Sequence, residues 1–225
     1  MGERRESKKR ETRQRISDVA TELFLARGFD AVTLDEIAAA AQVARMTVFN
    51  YFPRKEDLML DRQDDLKLLF FREAVRARPQ GQSPIAALRV LMGSPQSHPR
   101  SFARIDRHTA AWWRFVAASP SLAARLREFD DEAAEGLAVE FAGPKPDGLA
   151  RLAAGMIVLT VRTARQEALR TFERGVSAKK ANATFLALMD QGFAAVEGMV
   201  ATAARGSPAR GRAGRPADRT RPPGR

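Results

Sequence analysis

Residues 33–55 read TLDEIAAAAQVARMTVFNYFPRK, and the order of caps, apolar positions and breakers in them decides how the chain folds. Thr33 and Glu36 stand as T-x-x-E, a capping box that fixes the start of a first short helix. Leu34, Ile37, Ala38 and Ala41 follow at helical spacing and give that helix one apolar face. Ala41-Gln42-Val43-Ala44 is a short connector. A second helix, about Ala44 to Tyr51, buries Val48 and Phe52 and leaves Arg45, Met46, Thr47, Phe49 and Asn50 pointing elsewhere. Pro53 lacks the amide that a continuing helix needs, and Lys55 opens a third helix. Small residues behind and varied side chains in front suit a helix that enters a groove, which is the plan of a helix-turn-helix DNA reader.

Working outward, Ile16, Val19, Ala20, Leu23 and Phe24 recur at helical spacing between Thr12 and Arg27. Gly28 follows where a C-cap glycine belongs, and Phe29 and Val32 plug the small core. Residues 1–10 carry charge without apolar periodicity and are expected to form a mobile basic arm. A long helix is expected from Lys55 to about Arg78, marked by Leu58, Leu66, Leu69, Phe70 and Val75. Ser83-Pro84 and Ser119-Pro120 pair an N-cap with a proline at the first helical position. They open helices over 85–92 and 120–141, and a further helix is expected over 102–118. Two long helices close the chain, Leu149 to about Arg174 and, capped by Ser177, about 178 to 204. No strand pattern or internal repeat occurs, so the fold class is all-α. The domain reading is arm 1–10, DNA-binding unit 11–60, helical ligand-binding and dimerisation unit 61–204, and a disordered basic tail 205–225 rich in Gly, Pro and Arg.

The net charge is +11, and it sits at the ends. Residues 1–15 hold seven basic side chains against three acidic, and residues 205–225 hold seven against one, leaving a body near neutrality. Basic ends beside a DNA reader suit segments that follow phosphates, and solubility alone is the bland reading of the same charge. The chain has no cysteine, which excludes disulfides and thiolate metal sites. The apolar run 153–161 falls short of the roughly 20 residues a membrane span needs. No signal peptide is read, and a cytoplasmic location is expected. His98 and His108 are the only histidines and have no metal-ligand spacing around them. No phosphate-binding glycine loop and no Ser-His-Asp pattern stands out, so neither an enzyme nor a cofactor is expected.

Residues 8–60 resemble the DNA-binding unit of the TetR (tetracycline repressor) family. The resemblance rests on Gly28-Phe29, Thr33, Ile37-Ala38, Val43, Thr47, Phe49, Tyr51-Phe52-Pro53, Lys55-Glu56 and Leu58. Two positions depart from the pattern: Gln42 stands at the turn where relatives often have glycine, and Ala44 replaces a Ser or Thr N-cap. The resemblance implies a homodimer that reads a palindromic operator in double-stranded DNA, most simply as a repressor released by a small molecule. Activation by ligand, or control without one, is the alternative, and nonspecific nucleic-acid binding driven by the basic ends is a more remote one.

Base readout needs side chains at the exposed front of the second helix. Arg45 can donate twice to a guanine, Met46 and Thr47 can touch a thymine methyl, and Phe49 and Asn50 lie further along. Thr33 sits at a helix N-terminus, while Tyr51 and Lys55 match positions that hold phosphates in relatives. The stripes of the last two helices fit a four-helix dimer interface, with Gly192 and Gly198 permitting close approach. Phe102, Trp112, Trp113 and Phe115 form an aromatic cluster that packing explains as well as a ligand wall does. Facing candidates are Phe70, Phe71, Met156, Leu159 and Thr163, with Arg162, Gln166 and Arg114 as polar anchors. An apolar wall with a few arginines suits a small hydrophobic effector such as a fatty acid or acyl-CoA.

Overall fold

The computed structural model describes residues 2–61, 63–93 and 105–206, and among them every regular element is a helix. These are α1 (Gly2–Arg27), α2 (Leu34–Ala40), α3 (Arg45–Tyr51), α4 (Lys55–Met59), α5 (Gln63–Leu66), α6 (Leu69–Arg76), α7 (Pro84–Gly93), α8 (Arg107–Ala118), α9 (Pro120–Ala142), α10 (Gly148–Glu173) and α11 (Ala178–Gly206). The disorder expected of the tail falls on 207–225, outside the described residues, as do His98 and Phe102.

The local punctuation acts where the sequence places it. Glu36 N–H donates to Thr33 Oγ1 at 3.3 Å while Thr33 N–H donates to Glu36 Oε2 at 2.8 Å, closing the capping box. Ser83 caps α7 and Ser119 caps α9, each followed by proline. Gly28 ends α1 with φ 89°, a left-handed conformation that costs glycine little.

Two expectations need correction. The basic lead, which shows no helical periodicity, is helical: α1 begins at Gly2. Its first turns are built from Arg, Lys and Glu, which are good helix formers, and Ser7 Oγ donates to Glu11 at 3.0 Å. With no apolar face to bury, this stretch carries no periodicity for a pattern to detect. The single helix over 55–78 is instead three, α4, α5 and α6. Leu66 and Leu68 are both buried, yet on a continuous helix they would point about 200° apart. The chain resolves this by placing Leu68 in the left-handed region at φ 53°. Leu60 and Leu66 face one core, and Leu68, Phe71 and Val75 face another.

The first core joins α1–α4 to α8 and α9. Ile16, Phe24, Phe29, Ile37, Val48 and Phe52 close the small unit, and Trp113, Val116, Leu122 and Phe129 are continuous with them. The second core fills the space among α6, α7, α9, α10 and α11, around Phe71, Leu137, Ile157, Phe185 and Phe193. Gly192 lets α11 approach α10 within the chain, since a Cβ there would lie 2.2 Å from the Thr160 methyl. Gly198 has nothing near it, so any close approach it serves lies outside the single chain.

Candidate nucleic-acid interface

α3 is a seven-residue helix anchored from behind. Val48 and Phe52 are fully buried, while Met46 is 66% and Phe49 52% exposed. Arg45 and Asn50 are exposed as well, and Thr47 is half-buried. The five side chains expected to read bases therefore sit on α3, with all but Thr47 open to solvent. Large apolar groups such as Met46 and Phe49 are costly to leave in water unless a partner covers them. Arg45 Nη1 donates to Asp35 at 3.2 Å, but both side chains are about two-thirds exposed. Such a pair is worth little, so Arg45 is free to exchange Asp35 for a base edge.

The turn ahead of α3 carries strain. Val43 N–H donates to Ala38 O at 3.0 Å and Gln42 N–H to Ala39 O at 3.1 Å, the Schellman pattern. That pattern puts Gln42 at φ 54°, where a Cβ is unfavourable. Ala44 caps α3 with no side-chain hydrogen bond. Gln42→Gly is expected to raise the unfolding free energy by about 0.5–1 kcal/mol, because the relief of left-handed strain exceeds glycine's added entropy cost. Urea unfolding measures it, and a destabilised variant would show that the turn holds no such strain.

The three residues expected at phosphates differ in what they have to offer. The hydroxyl and amide of Thr33 are both engaged with Glu36. That amide, the Arg27 guanidinium and the Thr33 hydroxyl hold the Glu36 carboxyl down at about 2. The Lys55 ammonium rests 4.5 Å from the Phe29 ring centre. Tyr51 is half-buried and lines a shallow groove with Arg5, Lys8 and Lys9 of the extended α1. Thus α1 brings three cations, with the Glu6 carboxylate among them, next to the end of α3, which sequence periodicity could not reveal.

Two braces were not apparent from the sequence. Arg13 donates to the Tyr51 carbonyl at 2.9 Å, pairs with Asp61 and lies 4.3 Å from the Phe52 ring centre. It satisfies a carbonyl at the C-terminus of α3, where a cation is favoured. Further back, Arg125 Nε of α9 donates to Asp57 Oδ1 of α4 at 2.9 Å, and both are largely buried. Arg125 also pairs with Glu128, which Arg54 reaches from the reader side. These two arginines hold the Glu128 carboxyl below its usual range.

Among the described residues, those expected to wall a ligand are spread over both cores, the outer face of α10 and one cleft. Phe71 is in the second core, with Phe70 and Met156 packed against it. Trp113 is in the first core, with Trp112 and Phe115 at its margin. Leu159 is 51% exposed and Thr163 is exposed, on the outer face of α10 that also carries Leu152, which is 54% exposed. Arg162 and Gln166 share a cleft with Trp113. Arg114 is exposed and lies 3.9 Å from Glu173.

A model of bacterial regulatory proteins, tetR family, matches residues 16–61. The HTH-type transcriptional regulator TcmR of Streptomyces glaucescens is 36% identical over 84 residues, 37% of this chain and 37% of that protein. TtgW of Pseudomonas putida, also named as an HTH-type transcriptional regulator, is 37% identical over 92 residues, 39% of this chain and 68% of that protein. The match thus spans little more than a third of TcmR's length and about two thirds of TtgW's. Among solved structures, a SmeT–triclosan complex is 20% identical with a TM-score of 0.52, over 82% of this chain and 91% of that one. That likeness extends the all-helical arrangement beyond the reader.

Proposed function

The chain belongs to the TetR family of transcriptional regulators, and from that premise we propose that it is a sequence-specific DNA-binding regulator, a repressor that leaves a palindromic operator when a small effector binds. The observation that carries this reading is the α3 surface: Arg45, Met46, Phe49 and Asn50 stand in solvent on a helix whose other side is locked by Val48 and Phe52. A helix fixed from behind and varied in front delivers side chains to base edges in one register. Arg5, Lys8, Lys9 and Tyr51 beside it suit the phosphate contacts that set that register.

The functional division falls near residue 60. The reader precedes it, and a body that dimerises and senses the effector follows. Two subunits meet through α10 and α11, where Leu152, Leu159, Leu186 and Val200 remain exposed. Leu152, Met156, Leu159 and Thr163 recur at helical spacing along α10, so the residues read as ligand wall on this stripe are better placed to face a second copy. Two readers on a twofold axis would meet half-sites about one helical turn apart or a multiple of it. No helix among the described residues is long and apolar enough to cross a membrane, and action in the cytoplasm follows from the DNA-binding role.

Selection of bound duplexes from random DNA tests reader, symmetry and spacing together, and a palindromic consensus is the expected result. Within that site, Arg45→Ala is expected to cost about 1–3 kcal/mol and to relax the preference at one base position per half-site. A loss equal on every sequence would mean that Arg45 touches only phosphate.

A further inference from the structure

Trp113 has a cleft on either side. The one between α8, α9 and α10 has a volume of about 320 Å³. Its apolar wall is made by Trp113, Leu126 and Leu169. Its polar wall holds Arg127, Arg162 and Arg165 against a single carboxylate, Asp130, so the cleft carries surplus positive charge.

Arg165 is the unusual member. It is only 8% exposed. Among the described residues it makes no hydrogen bond and no ion pair, and its guanidinium carbon lies 4.0 Å from the Trp113 ring centre. Its N–H donors find no acceptor within the chain and are not fully shut off from solvent, so they face the open cleft. Burial pulls the group down to about 10, with Asp130 opposing that shift and Arg162 adding to it. Asp130 is itself pushed up by burial, although Arg165 and Arg162 draw it back. Asp130 stays 3.7 Å from Arg162 and satisfies neither arginine fully. Within the fold the guanidinium has the Trp113 ring face and the field of Asp130, but no hydrogen-bond acceptor. An acceptor group arriving from outside would complete it.

We propose that this cleft is the effector site of the regulator and that it takes a small organic acid, with a carboxylate or phosphate group on Arg165 and Arg162 and a ring-sized apolar body against Trp113, Leu126 and Leu169. Planar guanidinium pairs with such oxyanions are among the stronger hydrogen-bonded contacts. The volume stands at the low end of the roughly 300–1,000 Å³ of small-molecule sites, which suits one or two rings better than a fatty acyl-CoA. The route to the reader is α9. It carries Arg127 and Asp130 to the cleft, and Arg125, Glu128 and Phe129 to the contacts with Asp57, Arg54 and Lys67. An acid that draws Arg162 from Asp130 changes the helix that grips the reader. Only this last step rests on the regulatory reading, because binding itself needs no DNA.

Isothermal titration of the full chain with 2-naphthoate, 2-naphthyl phosphate and neutral 2-naphthalenemethanol tests the site, the first two separating carboxylate from phosphate. One acid is expected to bind saturably and the alcohol at least about tenfold more weakly. Arg165→Met and Arg162→Gln are each expected to weaken that acid by about tenfold or more. Arg162 has a 41% exposed side chain, so its replacement keeps the test alive if the Arg165 variant does not fold. Failure of both acids at millimolar concentration, equal binding of acid and alcohol, or undiminished binding by folded variants overturns the site. Acid binding that leaves operator affinity unchanged overturns its role as an effector site. A protein that binds acid but no duplex at all would count against the regulator reading instead.

Discussion

Leu152→Arg combined with Leu159→Arg is expected to leave a folded protein that sediments as a single chain and binds its operator about 10²–10⁴-fold more weakly. Both leucines are more than half exposed on α10, so within one chain they contribute little packing, and exposed substitutions of this kind usually shift stability by about 0.5 kcal/mol or less. In a twofold interface the same positions meet their own copies or neighbours of them, and each subunit contributes the substituted stripe once. Arginines there would be desolvated beside like charges on both sides of the axis. The loss on DNA follows because one reader binds a half-site alone, without the effective concentration that its tethered partner supplies. Analytical ultracentrifugation and anisotropy with a selected duplex read the two effects separately. A dimer that persists would place the interface elsewhere than on the α10 stripe. A monomer with undiminished affinity would mean that pairing is not what concentrates the readers on DNA.

The parts of the fold that were legible are those decided within a few residues. The Thr33–Glu36 box, the Ser83-Pro84 and Ser119-Pro120 openings and the Gly28 stop depend on local hydrogen bonds and on backbone freedom, and the sequence displays both. The front of α3 was legible for the same reason, since Val48 and Phe52 fix which side of a short helix faces inward. What stayed hidden depends on how one helix lies against another. Arg125 and Asp57 are 68 residues apart, and nothing near either residue marks it as the other's partner. The aromatic cluster was visible as composition, but whether Trp113 faces Phe71 or Arg165 is set by the packing of α8 on α9 and α10. The break at Leu68 had one signal, the burial phase that shifts between Leu66 and Leu68, but no glycine or proline announces it. Arg165 was masked by its neighbour Arg162: a charge in the middle of α10 reads as solvated face unless its burial is known.

Phe129→Ala is expected to destabilise the protein by about 3–5 kcal/mol, the range for removing a large buried ring. Phe129 is fully buried in the core that α9 shares with α1–α4. Two cations rest on it as well, the Arg125 guanidinium carbon 4.3 Å and the Lys67 ammonium 4.9 Å from the ring centre. Alanine would remove the apolar surface, leave a void and take away the ring face that offsets part of the burial of Arg125. Asp57, Glu128 and Glu132 would still neutralise Arg125, so the loss is chiefly one of packing. Phe129→Leu separates the two contributions, because leucine restores much of the volume but no ring face; it is expected to recover more than half of the stability. Urea unfolding of both variants, followed by helix content and by the two tryptophans on α8, supplies the comparison. Since Trp113 lies in the same core, both probes are expected to report one transition in the native protein and to separate in the alanine variant, where the reader loses its grip on α9. A loss under about 1 kcal/mol would show that the ion pairs rather than the ring join reader to body.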